Sequence, residues 1–359
     1  MLRPAALWGD RTPDSKLKPS SPVSTGELNN LCRNNLADTA FLVPFKGNGW
    51  GNRLQLSAME AIMQKRFLVT ALTMAMLAGV TSTAKTADVN WLAVGKALGK
   101  EGTEQAEGVY RIGLPRSDLK VTLDGVTLKP GFALGGWLAF EPMEEKALVM
   151  GDLVLLESEV NPVMQKLQQA GIEITALHNH LLRSTPTTMY MHIMAQGEPV
   201  ALAKKLHEGL ALSKTPLETA SATASESDID LDVSAIDKIL GTQGKVNSGV
   251  LQYSVARGEQ IIDQGMLVPP ALGTAIAINF QPTDSGKAAI TGDFVLIGTE
   301  VSPVLKALRD NDIEVTALHS HMVDEEPRLY FMHFWANDDA QKLAQGLKTA
   351  LDLVNSKKS

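Results

Sequence analysis

Apolar and polar residues alternate in short segments beyond residue 100, as expected for strands with one buried face. Turn residues such as Asp124-Gly125 and Pro130-Gly131 separate these segments. A mostly apolar segment then predicts one more strand. The strands predicted before the first long helix are 109–114, 119–128, 134–141 and 148–156.

Helical spacing of the apolar residues begins after these strands. The predicted stripe is Val160, Val163, Met164 and Leu167. Asn161 and Pro162 predict the N-cap and the first helical residue, because asparagine caps helices well and proline suits the first turn. Ser302 and Pro303 give the same signal later in the chain.

Two strands, 172–182 and 187–195, and a second helix, 199–212, complete the predicted unit. The order is strand–helix–strand–strand–helix, which predicts the α+β class with helices packed on a mostly antiparallel sheet. A double cupin-like β-barrel is the alternative, since His-x-His in a duplicated β-rich protein is a cupin feature. The helix directly before each His-x-His strand is foreign to that barrel.

The sequence of this unit is repeated at an offset of 141 residues. Gly151-Asp-Leu-Val-Leu155 recurs as Gly292-Asp-Phe-Val-Leu296, and Ala176-Leu-His-Asn-His180 recurs as Ala317-Leu-His-Ser-His321. We therefore expect repeat domains at 88–212 and 230–355, related by a pseudo-twofold axis. The segment 213–229 between them has the composition of a linker.

The first 84 residues lack these patterns. Lys65-Arg66, the uncharged apolar run Phe67–Val80 and the small residues Ser82 and Ala84 have the layout of a secretory signal peptide. We assign the signal peptide to 59–84 and regard 1–58 as a non-native or disordered extension. The run is too short for a membrane span. A periplasmic or secreted protein is therefore expected.

Charge and cysteine content exclude several classes of function. Residues 1–84 carry nine Lys/Arg and five Asp/Glu, so the remainder carries 24 and 35. A body that acidic does not bind nucleic acid through a phosphate-neutralising surface. The single cysteine, Cys32, excludes an intrachain disulfide framework, a cysteine-rich zinc site and an iron–sulfur cluster. A Ser-His-Asp or Cys-His nucleophile also lacks support, because there is no G-x-S-x-G motif and the expected mature chain has no cysteine.

Six of the seven histidines fall into two sets with the spacing H-x-H-x11-H. The sets are His178, His180 and His192, and His319, His321 and His333. Alternate residues of a strand point to one face, and a hairpin centred near residue 185 would place His192 opposite His178. Each set would then converge on one patch within its own repeat, on the face that Ile172 and Ile174 share.

Three neutral imidazoles without a thiolate suit zinc, copper, nickel or iron. We expect a divalent transition metal with up to two equivalents per chain, one in each repeat. The unperturbed pKa of histidine predicts that binding weakens below pH of about 6.5. The alternative is that the histidines bind an organic ligand or are satisfied within the core. His207, without a counterpart, is predicted to be a surface residue.

Retained carboxylates provide candidates for acid–base assistance. Asp152 and Asp293 follow the repeated glycine, and Glu159 and Glu300 start the repeated helix. Each could act as a general base toward a metal-bound water or orient a metal ligand, or it could cap the following helix. The sequence favours neither role over the other.

On the repeated Gly-Asp strand, the Glu-Val-x-Pro-Val helix start, the Ala-Leu-His-x-His strand and the Met-His pairs, the chain resembles the LppY/LpqO family of exported bacterial proteins. The resemblance covers nearly all of 88–353. It implies export and the two-copy layout, and it supplies no reaction or ligand. No cysteine follows the apolar run, so a lipid anchor is not expected.

Two functions follow as hypotheses. The first is an exported protein that binds a transition metal or small ligand through the histidine triads. The second is a metal-dependent hydrolase or lyase that uses the same triads with an activated water.

Overall fold

The computed structural model describes residues 89–217 and 228–357. The predicted extension, the signal peptide and part of the linker lie outside these residues. The first repeat consists, in order, of α1 (Trp91–Leu98), β1 (Thr103–Glu104), β2 (Tyr110–Pro115), β3 (Thr122–Leu123), β4 (Val126–Thr127), α2 (Pro130–Ala133), β5 (Gly135–Pro142), β6 (Ala147–Leu156), α3 (Glu157–Gln169), β7 (Glu173–His178), β8 (Thr188–Gly197) and α4 (Pro199–Leu210).

The second repeat has the same order, with a short 3₁₀ turn (Pro270–Leu272) where the first has α2. It consists of α5 (Val233–Leu240), β9 (Lys245–Asn247), β10 (Val250–Val255), β11 (Ile262–Asp263), β12 (Met266–Leu267), β13 (Ile276–Pro282), β14 (Lys287–Ile297), α6 (Gly298–Asp310), β15 (Glu314–His319), β16 (Leu329–Asp339) and α7 (Ala340–Leu351).

Each repeat is built on a six-stranded sheet. The strand orders are β1-β2-β5-β6-β8-β7 and β15-β16-β14-β13-β10-β9, with neighbouring strands antiparallel. The predicted α+β class with two sheet-dominated, mostly antiparallel repeats is confirmed. Among the described strands neither sheet closes on itself, so the double cupin alternative is unsupported. Within 89–217 and 228–357, the helices lack the length and hydrophobicity of a membrane span.

Strand β6 is apolar apart from Gly151 and Asp152 because both of its faces are covered. Val149 and Leu153 lie in a core with α1, α3 and α4. Leu148 and Met150, which point the other way, pack in a core that belongs mainly to the second repeat. The two repeats therefore share a buried interface, and Asp152 lies on the face of β6 that is turned toward it.

The helix after β6 begins earlier than predicted. It starts at Glu157 and the equivalent helix at Gly298, so Pro162 and Pro303 lie inside their helices instead of at the first position. Glu159 explains the difference, because its carboxylate accepts a hydrogen bond from the Leu156 amide at 2.9 Å. This bond satisfies an amide at the helix start that has no intrahelical partner.

The predicted register of the histidine hairpin is wrong by two residues. His178 lies opposite Tyr190, and His192 lies opposite Ala176. The connection between β7 and β8 sets this register, and it does not centre the hairpin at residue 185. Separately, β7 has an irregularity between Ile174 and Ala176, which recurs between Val315 and Ala317 in the second copy. A bulge inserts one unpaired residue and reverses the alternation of faces. His178 therefore lies on the interface side of the sheet, whereas Ile174 packs against the helix-side core.

Candidate functional site

The six predicted histidines form one cluster between the two repeats. In each repeat the first is the last residue of a strand (β7 or β15), the second follows two residues later, and the third lies in the neighbouring strand (β8 or β16). The expectation of a separate site in each repeat is therefore wrong. The sheet faces that carry the triads are turned toward each other, so the triads merge.

Contacts across the repeats are as close as those within them. The ring centroids of His178 and His319, which are equivalent residues, are 3.5 Å apart. The ring centroids of His180 and His333 are 3.7 Å apart, as are those of His192 and His321. The last two contacts are reciprocal, since each joins a second histidine of one repeat to the third histidine of the other.

Aromatic side chains close two sides of the cluster. Tyr190 stacks on His180 and Phe331 stacks on His321, each at a centroid distance of 3.5 Å. The Tyr190 hydroxyl donates to the Ala133 carbonyl at 2.8 Å. Tyr190 and Phe331 occupy equivalent positions two residues before the third histidine.

All six imidazoles are neutral at physiological pH. Burial lowers the pKa of His178 to about 3 and that of His319 to about 4, and the charge of His319 adds to the effect at His178. The pKa values of the other four lie well below the usual histidine value, again mainly because of burial: His180, His192, His321 and His333. Metal ligation requires neutral imidazole, so the site keeps its histidines in the competent form.

Several ring nitrogens have no hydrogen-bond partner among the described residues. They are Nδ1 of His178 and Nε2 of His192, His319, His321 and His333. His333 Nδ1 lies 3.0 Å from the Gly292 carbonyl, so Nδ1 carries the proton and Nε2 is a free lone pair. A backbone partner at one nitrogen is the usual way in which a metal-binding histidine is oriented.

The arrangement fits a transition metal. Five ligand nitrogens lie within 4.8 Å of one another, from His178, His180, His319, His321 and His333. A second such group comprises Asp152, His180 and His192. The Nε2 atoms of His178 and His180 are 2.8 Å apart. Two ligands at about 2.0–2.1 Å from one ion and roughly at right angles to each other would have this separation.

Asp152 and Asp293 belong to the cluster. Oδ1 of Asp152 lies 3.7 Å from His192 Nε2, and Oδ1 of Asp293 lies 3.8 Å from His333 Nε2. Burial raises the pKa of Asp152 to about 7, opposed by Arg111, and raises that of Asp293 well above its usual value. Neither Oδ1 has a hydrogen-bond partner within the described part of the chain.

Glu159 and Glu300 are not brought into the cluster. Glu159 forms a buried ion pair with Arg116, with an Nη1–Oε2 distance of 2.7 Å, and also accepts from the Leu156 and Lys214 amides. Glu300 pairs in the same way with Arg257 at 2.8 Å. Of their two predicted roles the structure supports the cap. The arginines were missed, although Arg116-Ser-Asp118 and Arg257-Gly-Glu259 repeat at the same offset.

The surroundings of the cluster differ between the repeats. Arg183 is exposed and bonds both Asp124 and Glu314, the latter in the other repeat. Its counterpart, Asp324, is followed by Glu325, a buried residue that accepts hydrogen bonds from Arg328 and the Leu329 amide.

His207 lies outside the cluster. It is half-buried, with Nδ1 2.7 Å from the Leu98 carbonyl oxygen, so the prediction of an exposed surface residue is wrong.

A family profile described as Domain of Unknown Function (DUF1259) matches residues 92–212 and again residues 234–353. The two matches cover well over half of the chain. The chain belongs to this family. The double match of DUF1259 coincides with the two repeats, and it leaves the resemblance to the LppY/LpqO family a prediction.

Other comparisons add little. No curated protein matches the chain. Among solved structures, a trimeric bacterial microcompartment shell protein, PduB, is 11% identical over 72% of this chain and 96% of its own, with a TM-score of 0.21. EtuB from Clostridium kluyveri is 9% identical over 70% and 88%, with a TM-score of 0.17. Likenesses this weak carry no argument about fold or function.

Proposed function

We propose that this protein binds a divalent transition metal, such as zinc, copper, nickel or iron, in the histidine cluster that its two repeats build together. The observation that carries the proposal is the convergence of six neutral imidazoles, five of which have a buried ring nitrogen without a partner among the described residues. An unsatisfied buried polar atom costs about 1–3 kcal/mol. A bound cation would relieve several such costs at once.

Reciprocal contacts support a pseudo-twofold arrangement of the two strand–helix–strand–strand–helix units. His180 contacts His333 as His192 contacts His321. Arg111 donates to the carbonyl of Ala271. The equivalent Gln252 donates to the carbonyl of Gly131. A twofold relation makes contacts occur in such pairs. A metal on or near the axis would then draw ligands from both repeats.

Metal uptake by the purified full chain tests the proposal. Elemental analysis after dialysis, with calorimetric titration of zinc and copper, should show binding at micromolar concentrations. The double variant His180→Ala, His333→Ala should lose it, because these residues contact each other across the interface. The matched control is His207→Ala, the histidine outside the cluster, which should bind as the wild type does. Absence of uptake by the wild type would overturn the proposal.

A metal-dependent hydrolase or lyase is the second candidate. One observation favours it: the buried carboxyls of Asp152 and Asp293 lie beside the cluster and would face a metal-bound water. Zinc-loaded protein should then hydrolyse p-nitrophenyl acetate faster than the His180→Ala, His333→Ala variant does. Equal rates would remove support for this candidate and leave metal binding as the function.

The predicted place of action is the periplasm or the exterior of the cell. The apolar run with its basic pair and small-residue site supports it, as does the resemblance to exported LppY/LpqO proteins. The partner we propose is the metal ion or a small molecule that the metal holds.

A further inference from the structure

The number of potential ligands in the cluster exceeds what one ion can use. Eight side chains with metal-binding atoms face the interface, six imidazoles and two carboxyls. They are His178, His180, His192, His319, His321, His333, Asp152 and Asp293. A zinc ion takes four ligands and an octahedral ion takes six. One ion would therefore leave at least two of these eight side chains without a bond to metal.

The ligand atoms also form two groups that share only His180. Asp152 and His192 lie in the second group and not in the five-histidine group. Asp293 lies beside His333 as Asp152 lies beside His192, at 3.8 and 3.7 Å. Two ligands of one ion, each about 2.0–2.1 Å from it, are at most roughly 4.2 Å apart. Each carboxylate can therefore share an ion with its neighbouring histidine.

We propose that the cluster is a dinuclear metal centre in which Asp152 and Asp293 are ligands, one for each ion. The inference rests on the proposed function, and it adds the number of ions and the role of the carboxylates. Two four-coordinate ions use all eight side chains. The two carboxylates also offset half the charge of two divalent cations, which six neutral imidazoles alone would leave uncompensated.

The first test is stoichiometry in the full chain. Equilibrium dialysis against zinc followed by elemental analysis should give two ions per chain. The double variant Asp152→Asn, Asp293→Asn should retain one ion or none, because amide oxygen is a far weaker ligand for a transition metal than carboxylate is. The control Asp284→Asn removes an exposed carboxylate away from the cluster and should still hold two ions.

The second test needs no variant. X-ray absorption of the zinc-loaded wild type should show metal–metal scattering at about 3.5–4 Å, the usual separation in two-metal sites. Copper-loaded protein should show a weakened electron paramagnetic resonance signal, because two close copper(II) ions couple.

The outcomes separate this inference from the proposed function. One ion per chain without metal–metal scattering would overturn the dinuclear centre and leave metal binding intact. Two ions in the folded Asp152→Asn, Asp293→Asn variant would overturn the role of the carboxylates. No uptake by the wild type would overturn both proposals.

Discussion

Single buried residues in this protein fall into two electrostatic classes. Arg116 and Glu159 are buried and fully paired, and the same holds for Arg257 and Glu300. Five of the cluster histidines, Asp152 and Asp293 instead hold buried polar atoms that lack partners among the described residues. The paired residues stabilise the fold, since the Arg116–Glu159 ion pair links the first turn of α3 to the β2–β3 connection. The second class destabilises the metal-free protein and points to a ligand.

Removing one member of the arginine–glutamate pair should weaken the fold without touching the metal site. We expect Glu159→Ala to lower the free energy of unfolding by about 3 kcal/mol, because it leaves the buried Arg116 guanidinium without its main counterion. Urea unfolding measures the loss, and zinc stoichiometry should stay at the wild-type value. Glu157→Ala, in the same helical turn but exposed, should change stability by less than about 0.5 kcal/mol. Equal effects of the two substitutions would contradict this assignment.

The histidine pKa values predict acid lability of the metal-free protein. In the unfolded chain these imidazoles take up a proton near pH of about 6.5. In the folded chain His178 does so only at about 3 and His319 at about 4. The unfolded state therefore binds more protons below about 6.5, and stability falls as pH falls, by about 1.4 kcal/mol per pH unit for each such group.

Asp152 and Asp293 act in the opposite direction. Their raised pKa values keep them protonated when folded, so they lower stability as pH rises from about 4 to 7. Six histidines outweigh two aspartates, and the net trend follows the histidines. Urea unfolding at several pH values between 4 and 7, with a chelator present, checks the trend. A stability that is flat or falls with rising pH over this range would contradict it.

At the scale of the element, the repeated glycine before each aspartate has a clear packing role. A Cβ at Gly292 would lie 2.0 Å from the Ala277 carbonyl oxygen, and one at Gly151 would lie 2.6 Å from a methyl carbon of Leu138. The backbones and side chains next to β6 and β14 are thus packed too closely for a side chain at these positions. This packing fixes the position of the next residue, Asp152 or Asp293, relative to the histidine strand.

Gly292→Ala should therefore destabilise the protein by at least about 2 kcal/mol, since the neighbouring strand β13 must move. It should also weaken zinc binding, because the Gly292 carbonyl is the partner of His333 Nδ1. The matched control is Gly113→Ala in β2, where an added Cβ meets no atom within 4 Å. Thermal unfolding and zinc titration of both variants distinguish the two sites. A Gly292→Ala protein as stable as Gly113→Ala would refute the close-packing argument.

Elements were more predictable than their details. The strand over 148–156 and the helix after it follow from apolar periodicity, which reports burial directly. The helix start was misplaced because Pro162 was interpreted as a first-turn proline. The helix in fact begins at Glu157, where the Glu159 side chain accepts a hydrogen bond from the Leu156 amide. The histidine register was missed because the connection over 179–187 does not centre the hairpin at residue 185. The face of His178 was missed because the bulge at Thr175 has no distinctive residue. No local pattern could show that the triads of the two repeats meet, since that contact arises from packing of whole sheets.

At the scale of the whole molecule, the site exists only where the repeats meet. Trp335 donates from Nε1 to Asp124 at 3.1 Å, and Arg183 bonds Glu314, so polar contacts between the repeats surround the cluster as well. The apolar core is also shared, because Tyr190 and Val154 pack with Val250 and Trp335. Any substitution that shifts one repeat relative to the other should therefore change the distances between the proposed metal ligands.

A double-mutant cycle across the interface tests this dependence. His178 and His319 stack on each other from different repeats. If each repeat held its own ion, the losses of zinc-binding free energy in His178→Ala and His319→Ala would add to within about 0.5 kcal/mol in the double variant. For one shared centre we expect non-additivity of at least about 1 kcal/mol, since the first substitution already removes part of what the second would disturb. Competition with a chelating dye measures each affinity. The pair His178→Ala and His207→Ala, which joins a cluster residue to one outside it, should be additive, and additivity of both pairs would show that the two repeats bind metal independently.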